Sequence, residues 1–342
     1  MKLVIQIPCY NEAETLPTAL GELPRRLPGF DEVEWLVVND GSTDNTVEVA
    51  RRCGVDHIVS FKRNQGLARA YMAGLRASID IGADVIVNTD ADNQYCAADI
   101  PALVAPILAG AADIVVGTRP INAIRHFSLL KKALQGLGSA VVRAVSGTSV
   151  EDAPSGFRAI SREAAMRMHV FNEYTYTLET IIQAGRKNMV VASVPVRVNG
   201  DIRPSRLIKS IPGYIRKSVF TMLRIFVVYR PFRFFMAVGG TVFAIGILLG
   251  LRFLALLIFR GGGGGHVQSL ILASILLGIG FQTMLTAFLA DLLAVNRTLL
   301  EDIEFRAWKS TDRSARAGGG VRLPHKKAPR RVSPRGVRNS RR

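Results

Sequence analysis

The chain has 342 residues, 49% of them hydrophobic, with 44 Lys and Arg against 27 Asp and Glu and a formal net charge of +17. Length and apolar content allow a large core and more than one structural unit, while positive mean hydropathy beside that charge excludes a single ordinary soluble domain. The conflict resolves by division, because the apolar excess lies after Pro231 and the basic excess in the last thirty residues. Three isolated cysteines (Cys9, Cys53, Cys96) without CxxC spacing argue against a disulfide framework or a zinc site and for reduced, packing thiols in a cytosolic compartment.

In chain order, MKLVIQIPCYNE lacks the charged and then long apolar pattern of a secretion signal and reads as a first strand. Short apolar runs predict strands at residues 3–7, 35–38, 58–59, 85–87, 114–116 and 190–196. Between them, periodic stretches predict helices at 12–23, 44–53, 66–79 and 99–108, with Ser42-Thr43-Asp44 and Asp99-Ile100-Pro101 as start signals. Strand–helix alternation of this kind predicts an α/β fold, a largely parallel sheet covered on both faces. Ligands of such sheets bind beyond the carboxyl ends of the strands. The polar clusters 8–12, 39–44, 90–94 and 117–119 all fall at those ends, so four loops converge on one edge.

The central stretch is DVIVNTDADNQ, residues 84–94. Asp90 and Asp92 follow a buried strand, and strand alternation would set them on one side of the chain, about 7 Å apart. Two carboxylates so held suit a hard divalent cation, Mg²⁺ or Mn²⁺, with Gln94 as a neutral oxygen ligand and phosphate oxygens filling the remaining positions. An acidic loop that only caps the next helix is the plain alternative.

IPCYNEAETL after the first strand, VVNDGSTDNT after the second and NTDADNQY after the fourth, followed by VVGTRP, SGFRAISRE and NGDIRPSRL, resemble family 2 glycosyltransferases of GT-A fold. The likeness is nearest to the dolichol-phosphate mannose synthase and polyprenyl-phosphate glycosyltransferase branch and covers about residues 1–230. It implies a Rossmann-like GT-A catalytic domain and a nucleotide-sugar donor. Pro8, Tyr10, Asn11 and Glu12 would form the nucleotide rim, and Asp40 would accept a hydrogen bond from the donor's base. Asp90 and Asp92 would handle ribose, metal and diphosphate, with Gln94 completing the metal shell. Arg119 would hold the acceptor phosphate in its guanidinium fork, assisted by Lys131 and Lys132 on the following helix. Arg203 and Arg206 would reach the diphosphate. Ser155 and Arg158 stand in or beside a Pro154-Ser155-Gly156 turn, with a site role or a structural one. Glu179 is either a catalytic base or an ion-pair partner of Arg186. Asn39 departs from the Asp of many relatives, keeping size and one acceptor but no charge, and Tyr95-Cys96 also departs from the usual residues. Gln183–Lys187 lacks the Trp of the processive QxxRW motif, which favours transfer of a single sugar. A polyprenyl or dolichyl phosphate is already an anionic nucleophile, so the resemblance implies one in-line inverting displacement that needs no base.

Residues 207–228 place apolar side chains at three- and four-residue steps opposite a basic face, the pattern of a helix lying on anionic lipid. Two apolar runs, about 234–259 and 267–295, read as membrane-spanning helices joined by a short glycine-rich loop. Arg252 and Asp291 interrupt them and require an interface, another helix or another subunit, so a homo-oligomer through these helices is one expectation. Basic residues on both outer flanks place the N-terminal domain and the tail in the cytoplasm. Residues 313–342 hold eleven Lys and Arg and no acidic residue, a composition expected to be disordered and to contact anionic lipid rather than nucleic acid. The expected units are thus 1–206 catalytic, 207–230 juxtamembrane, 231–300 membrane hairpin and 301–342 basic tail. Two other readings are a glycosyltransferase with a hydroxyl acceptor and a non-enzymatic membrane scaffold recruiting through the tail.

Overall fold

The computed structural model describes residues 1–120, 129–170, 176–199, 220, 223–224, 227–260 and 267–317. Seven strands form one sheet: β1 (Lys2–Cys9), β2 (Glu32–Asn39), β3 (His57–Ser60), β4 (Val85–Asn88), β5 (Ile114–Thr118), β6 (Arg158–Ser161) and β7 (Val191–Pro195), in the order β3-β2-β1-β4-β6-β5-β7. All neighbours run parallel except β6, which lies antiparallel between β4 and β5. The helices around the sheet are α1 (Leu16–Glu22), α2 (Thr46–Arg52), α3 (Leu67–Asp80), α4 (Ile100–Leu108), α5 (Leu129–Ser146), α6 (Arg162–Met166) and α7 (Thr177–Arg186).

Strand alternation sends Val4, Leu36, Val38, Ile86, Val116 and Ile160 to one core, and Leu3, Ile5, Ile7, Val37, Val87 and Val115 to the other. A sheet covered on both faces needs apolar side chains at every position, which is why these strands read as unbroken runs. The register Cys9↔Asn39 between β1 and β2 and Gln6↔Asn88 between β1 and β4 brings the following loops to one edge. Because β6 is antiparallel, its first residue, Arg158, lies level with Asn88 and Val116, so the turn before it joins the same edge.

Several expected boundaries shift. Helix α1 begins at Leu16 rather than at residue 12, because Asn11 takes a left-handed backbone (φ 55°) and residues 11–15 make the turn. Helix α2 begins at Thr46 rather than at 44, with Asp44 accepting the Thr46 N–H (3.0 Å) from outside the helix. β4 ends at Asn88, so Asp90 and Asp92 stand on a turn and not on the end of a strand. Strand β6 escapes periodicity because its four residues run directly from a turn into the Ser161 cap of α6.

Two further helices, α8 (Pro231–Arg260) and α9 (Val267–Ala317), form an antiparallel hairpin. Both contain stretches long and apolar enough to cross a membrane, and only 6% and 17% of their most apolar windows are buried, opposite to a soluble core helix. Their backbones approach closely at glycines. A Cβ on Gly239 would lie 2.9 Å from Gly280 O, and one on Gly280 would lie 2.6 Å from Phe243 N. Phe232 meets Phe288 edge-on at 5.3 Å. Asp291, one turn past Phe288, is therefore level with the start of α8. Arg252 stands eight residues, about 12 Å, from the loop end of α8.

The C-terminal part of the chain departs most from expectation. Helix α9 runs on to Ala317, 51 residues or about 76 Å, well past both the expected end at 295 and the expected start of a disordered tail at 301. Its distal half leaves the hairpin and packs on the catalytic domain. Phe305 is buried in the core with Trp308 beside it, Glu301 pairs with Lys187 at 2.8 Å, and Glu304 pairs with His169 at 3.0 Å. Arg297, Glu301, Glu304, Phe305 and Trp308 repeat at helical steps and form one docking stripe whose polar composition conceals it in the sequence. Residues 318–342 and most of the amphipathic stretch 207–228 lie outside the described residues.

Candidate donor site at the carboxyl edge of the sheet

The loops after β1 and β2 are tied to each other. The Thr43 N–H donates to Asn11 Oδ1 (2.8 Å), the Asn11 N–H to Ser42 Oγ (3.0 Å), the Glu12 N–H to Thr46 Oγ1 (2.9 Å) and the Ala13 N–H to Asp44 Oδ2 (3.1 Å). Asn39 accepts the Ser42 N–H at 2.9 Å, so its amide closes the turn without a charge. Pro8 is buried in β1, whereas Tyr10 at the tip is 42% exposed, leaving an aromatic face on the rim.

Asp40 has partners of its own within the fold. It is buried, and its carboxylate accepts the Gln65 N–H (2.7 Å) and the Gly66 N–H (2.9 Å), pinning the start of α3 to β2. Burial raises its pKa against the lowering effect of those two bonds. The adjacent Gly41 (φ 68°) is forced, since a Cβ there would lie 2.3 Å from the Arg63 carbonyl carbon. Any contact to a nucleobase is left to the lone pairs these amides do not use.

The Asp90–Gln94 turn sits on a buried polar platform. Gln6 Nε2 donates to Asn88 Oδ1 (2.9 Å), and Asn88 Nδ2 donates to Gly156 O (2.8 Å) and to Tyr176 Oη (2.9 Å). Tyr176 stacks on Tyr71 with ring centroids 3.7 Å apart. A Cβ on Gly156 would lie 3.1 and 3.2 Å from the two Asp90 oxygens, so the missing side chain is what admits that carboxylate. Asp92 Oδ1 accepts the Gln94 N–H at 3.2 Å. Asn93 (φ 56°) donates to Glu22 Oε1 (2.9 Å), while Asn199 donates to Glu22 Oε2 (3.3 Å) and to Asn93 O (3.1 Å). Helix α1 and the segment after β7 thus clamp this turn from both sides.

Burial, and next the charge of Asp92, push Asp90 up to about 7, with Glu12 acting in the same direction and Arg119 and Arg158 opposing. Carboxylates that destabilise one another's charge suit a cation. Among the described residues no three His, Cys, Asp or Glu side chains cluster as a metal cage. Two carboxylates with the remaining ligands supplied by a bound phosphate fit Mg²⁺ or Mn²⁺, which keep non-protein oxygens.

Arg119 and Arg158 have partners within the fold. The Arg119 fork is closed on Asp152, Nε to Oδ2 at 2.7 Å and Nη2 to Oδ1 at 3.0 Å, with Arg119 9% and Asp152 0% exposed. It contributes positive charge toward Asp90 but does not present an open fork to a phosphate. Arg158, fully buried, donates to Ser155 O (2.8 Å), Thr180 Oγ1 (2.6 Å) and Ala153 O (2.7 Å), and burial lowers its pKa. It and the buried Ser155 are the frame of the turn that admits Asp90. Glu179 has a partner that neither expectation named. It is buried on α7 and accepts a hydrogen bond from Tyr229 Oη at 2.8 Å, beneath the membrane hairpin. A carboxylate so enclosed and so engaged suits a structural role in the fold. Lys131 and Lys132 lie on α5 with side chains outside the described set, and Arg203 and Arg206 lie outside the described residues. Sequence reasoning missed Glu22, Asn93, Asn199, Asp152 and Tyr229, whose partners are distant along the chain.

Together these features define an α/β domain with a carboxylate site at its strand ends. Residues 4–168 match the model of glycosyl transferase family 2, and with the relatives that follow this match marks the chain as a glycosyltransferase. Undecaprenyl-phosphate mannosyltransferase of Micrococcus luteus is 29% identical over 224 residues, 62% of this chain and 90% of that protein. Polyprenol monophosphomannose synthase of Mycolicibacterium smegmatis is 27% identical over 206 residues, 57% and 76% of the two chains. The fold is similar to that of glucosyl-3-phosphoglycerate synthase from Mycobacterium tuberculosis, solved with Mn²⁺, uridine diphosphate and glucosyl-3-phosphoglycerate, with a TM-score of 0.53 and 20% identity over 66% of this chain and 78% of that one.

Proposed function

We propose that this glycosyltransferase moves a single sugar from a nucleotide sugar, GDP-mannose or a UDP-hexose, to a polyprenyl phosphate at the membrane surface. The observation that carries this reading is the junction of a carboxylate site of family 2 type with a membrane hairpin through one continuous helix, α9, with no intervening domain. Relatives named for undecaprenyl- and polyprenol-phosphate acceptors support the same acceptor class. Tyr10 would stack on the base, the laced loops after β1 and β2 would hold the nucleoside, and Asp90, Asp92 and Gln94 would hold Mg²⁺ or Mn²⁺. When bound, such a cation would supply charge stabilisation for the leaving diphosphate. An acceptor phosphate oxygen bonds to the anomeric carbon from the side opposite the leaving group while the sugar–diphosphate bond breaks, so configuration inverts. The acceptor arrives ionised, so the displacement needs no general base, consistent with Glu179 being enclosed. Arg203 and Arg206 follow within seven residues of Asn199, which is bonded to the Asp90–Gln94 turn, a chain length that spans to the diphosphate. Lys131 and Lys132 complete the acceptor side. Basic residues flanking the hairpin support a cytoplasmic catalytic domain and tail, with anionic lipid as the partner of the basic segments.

The acceptor class is tested by offering undecaprenyl phosphate, undecaprenol and diacylglycerol in parallel vesicles with a panel of UDP- and GDP-sugars. Glycosylation of the phosphate alone is the expected result. Glycosylation of either alcohol would replace this reading with transfer to a hydroxyl.

A further inference from the structure

Tyr229, two residues before α8, is buried and stands at the meeting of three elements. Its hydroxyl donates to Glu179 Oε1 on α7 (2.8 Å) and accepts from Gln183 Nε2 on α7 (3.2 Å) and from Arg297 Nη2 on α9 (3.3 Å). One turn further along α9, Glu301 bonds Arg297 (2.9 Å) and Lys187, just beyond α7 (2.8 Å). Arg230 Nη2 donates to Val145 O in the last turn of α5 (2.9 Å), a helix end that favours a cation. Helix α9 and the segment that enters α8 are thereby fastened to α7 and to the end of α5.

Helix α7 leads to the donor site. Its N-cap residue is Tyr176, whose hydroxyl receives the Asn88 bond and approaches Gly156 beside the Asp90 carboxylate. Asp90, Tyr176, α7, Tyr229 and α9 therefore form an unbroken series of packed and hydrogen-bonded groups from the carboxylate turn to the membrane hairpin. Near-rigid helices carry position over such distances. A displacement of about 1 Å between reacting groups costs up to about 10²-fold in rate.

We propose that the Tyr229 hub and the Glu301 ion pairs are positioning elements that hold the catalytic edge at a fixed place above the bilayer, matching it to an acceptor phosphate presented by membrane-embedded lipid. This rests on the acceptor reading above. It assigns Glu179 to positioning rather than to proton transfer.

The test uses full-length protein in phosphatidylethanolamine–phosphatidylglycerol vesicles, with two acceptors: undecaprenyl phosphate in the bilayer and a ten-carbon, water-soluble prenyl phosphate. Tyr229→Phe and Glu301→Gln are compared with the parent, and donor binding is followed by calorimetry. The expected result is at least a tenfold loss of turnover on the bilayer acceptor, with the soluble acceptor and donor affinity within twofold of the parent. Equal losses on both acceptors, weakened donor binding in step with turnover, or no loss on the bilayer acceptor would each overturn the proposal. If the parent uses only the bilayer acceptor, donor affinity serves as the control, and its fall in proportion to turnover overturns the proposal. A parent inactive on both acceptors would instead overturn the acceptor reading, so the two failures are separable.

Discussion

Gly156→Ala is the substitution that most directly probes how the donor site is built. The added methyl would stand 3.0 Å from Tyr176 Oη and 3.1 and 3.2 Å from the Asp90 oxygens, short of 3.4 Å ordinary contact by 0.2–0.4 Å. The Asn88 bond holds Tyr176 Oη and the Tyr71 stack holds its ring, so the Asp90 carboxylate is the group that gives way. If a 1 Å misplacement costs about 10²-fold, the 0.2–0.3 Å by which the Asp90 oxygens must move costs roughly 2.5- to 4-fold in kcat/KM. The metal concentration for half-maximal rate should rise alongside. Overpacking itself costs about 1–3 kcal/mol, so melting in detergent is recorded in parallel to separate displacement from unfolding. Steady-state transfer with Mn²⁺ titrated from micromolar to millimolar is the assay. A folded variant with parental kcat/KM and parental metal response would refute the placement of Asp90 against the reacting diphosphate.

Two further outcomes follow from the same geometry. Asp152→Asn leaves the Arg119 guanidinium buried opposite a neutral amide and should lower stability by about 3–5 kcal/mol, seen as a large drop in melting temperature. Replacing both residues by apolar ones should recover much of that loss. For pH, Asp90 is raised toward 7, so between the unfolded value near 4 and about 7 the folded, metal-free protein binds more protons than the unfolded chain. Its contribution therefore makes metal-free stability fall as pH rises through that window. Mn²⁺ competes with the same proton, so the rise in melting temperature on adding Mn²⁺ should be larger at pH 7.5 than at pH 5.5. An equal rise at both would remove Asp90 from the cation site.

The edge of the sheet was legible because each polar cluster follows a strand directly, so Asn11, Asp40, Asp90 and Asp92 were placed by local pattern alone. Their partners were not. Asp40 is engaged by amides 25 and 26 residues later, Arg119 by a carboxylate 33 residues away, and Glu179 by a phenol 50 residues on. A fork closed on Asp152 and one open to phosphate have the same local sequence, so only tertiary placement separates them. The membrane segments were plain from apolar length. The continuation of α9 was hidden because its docking stripe mixes Arg, Glu, Phe and Trp, a composition that resembles a solvated helix until Lys187, His169 and Arg167 are seen facing it. Arg158 shows the same limit, since a fully buried guanidinium held by two carbonyls and a hydroxyl has no local signature.

The central claim, that the Asp90–Asp92 turn holds a cation on a sugar-nucleotide diphosphate for transfer to lipid phosphate, is tested most directly by one labelling experiment. Full-length protein in vesicles with undecaprenyl phosphate and Mn²⁺ receives radiolabelled UDP- and GDP-sugars singly, beside Asp92→Ala, and label in the lipid fraction is counted. The account predicts labelling from one donor, abolished by chelator and lost by at least about 10²-fold in the variant. Equal labelling by parent and variant, or labelling untouched by chelator, would contradict it.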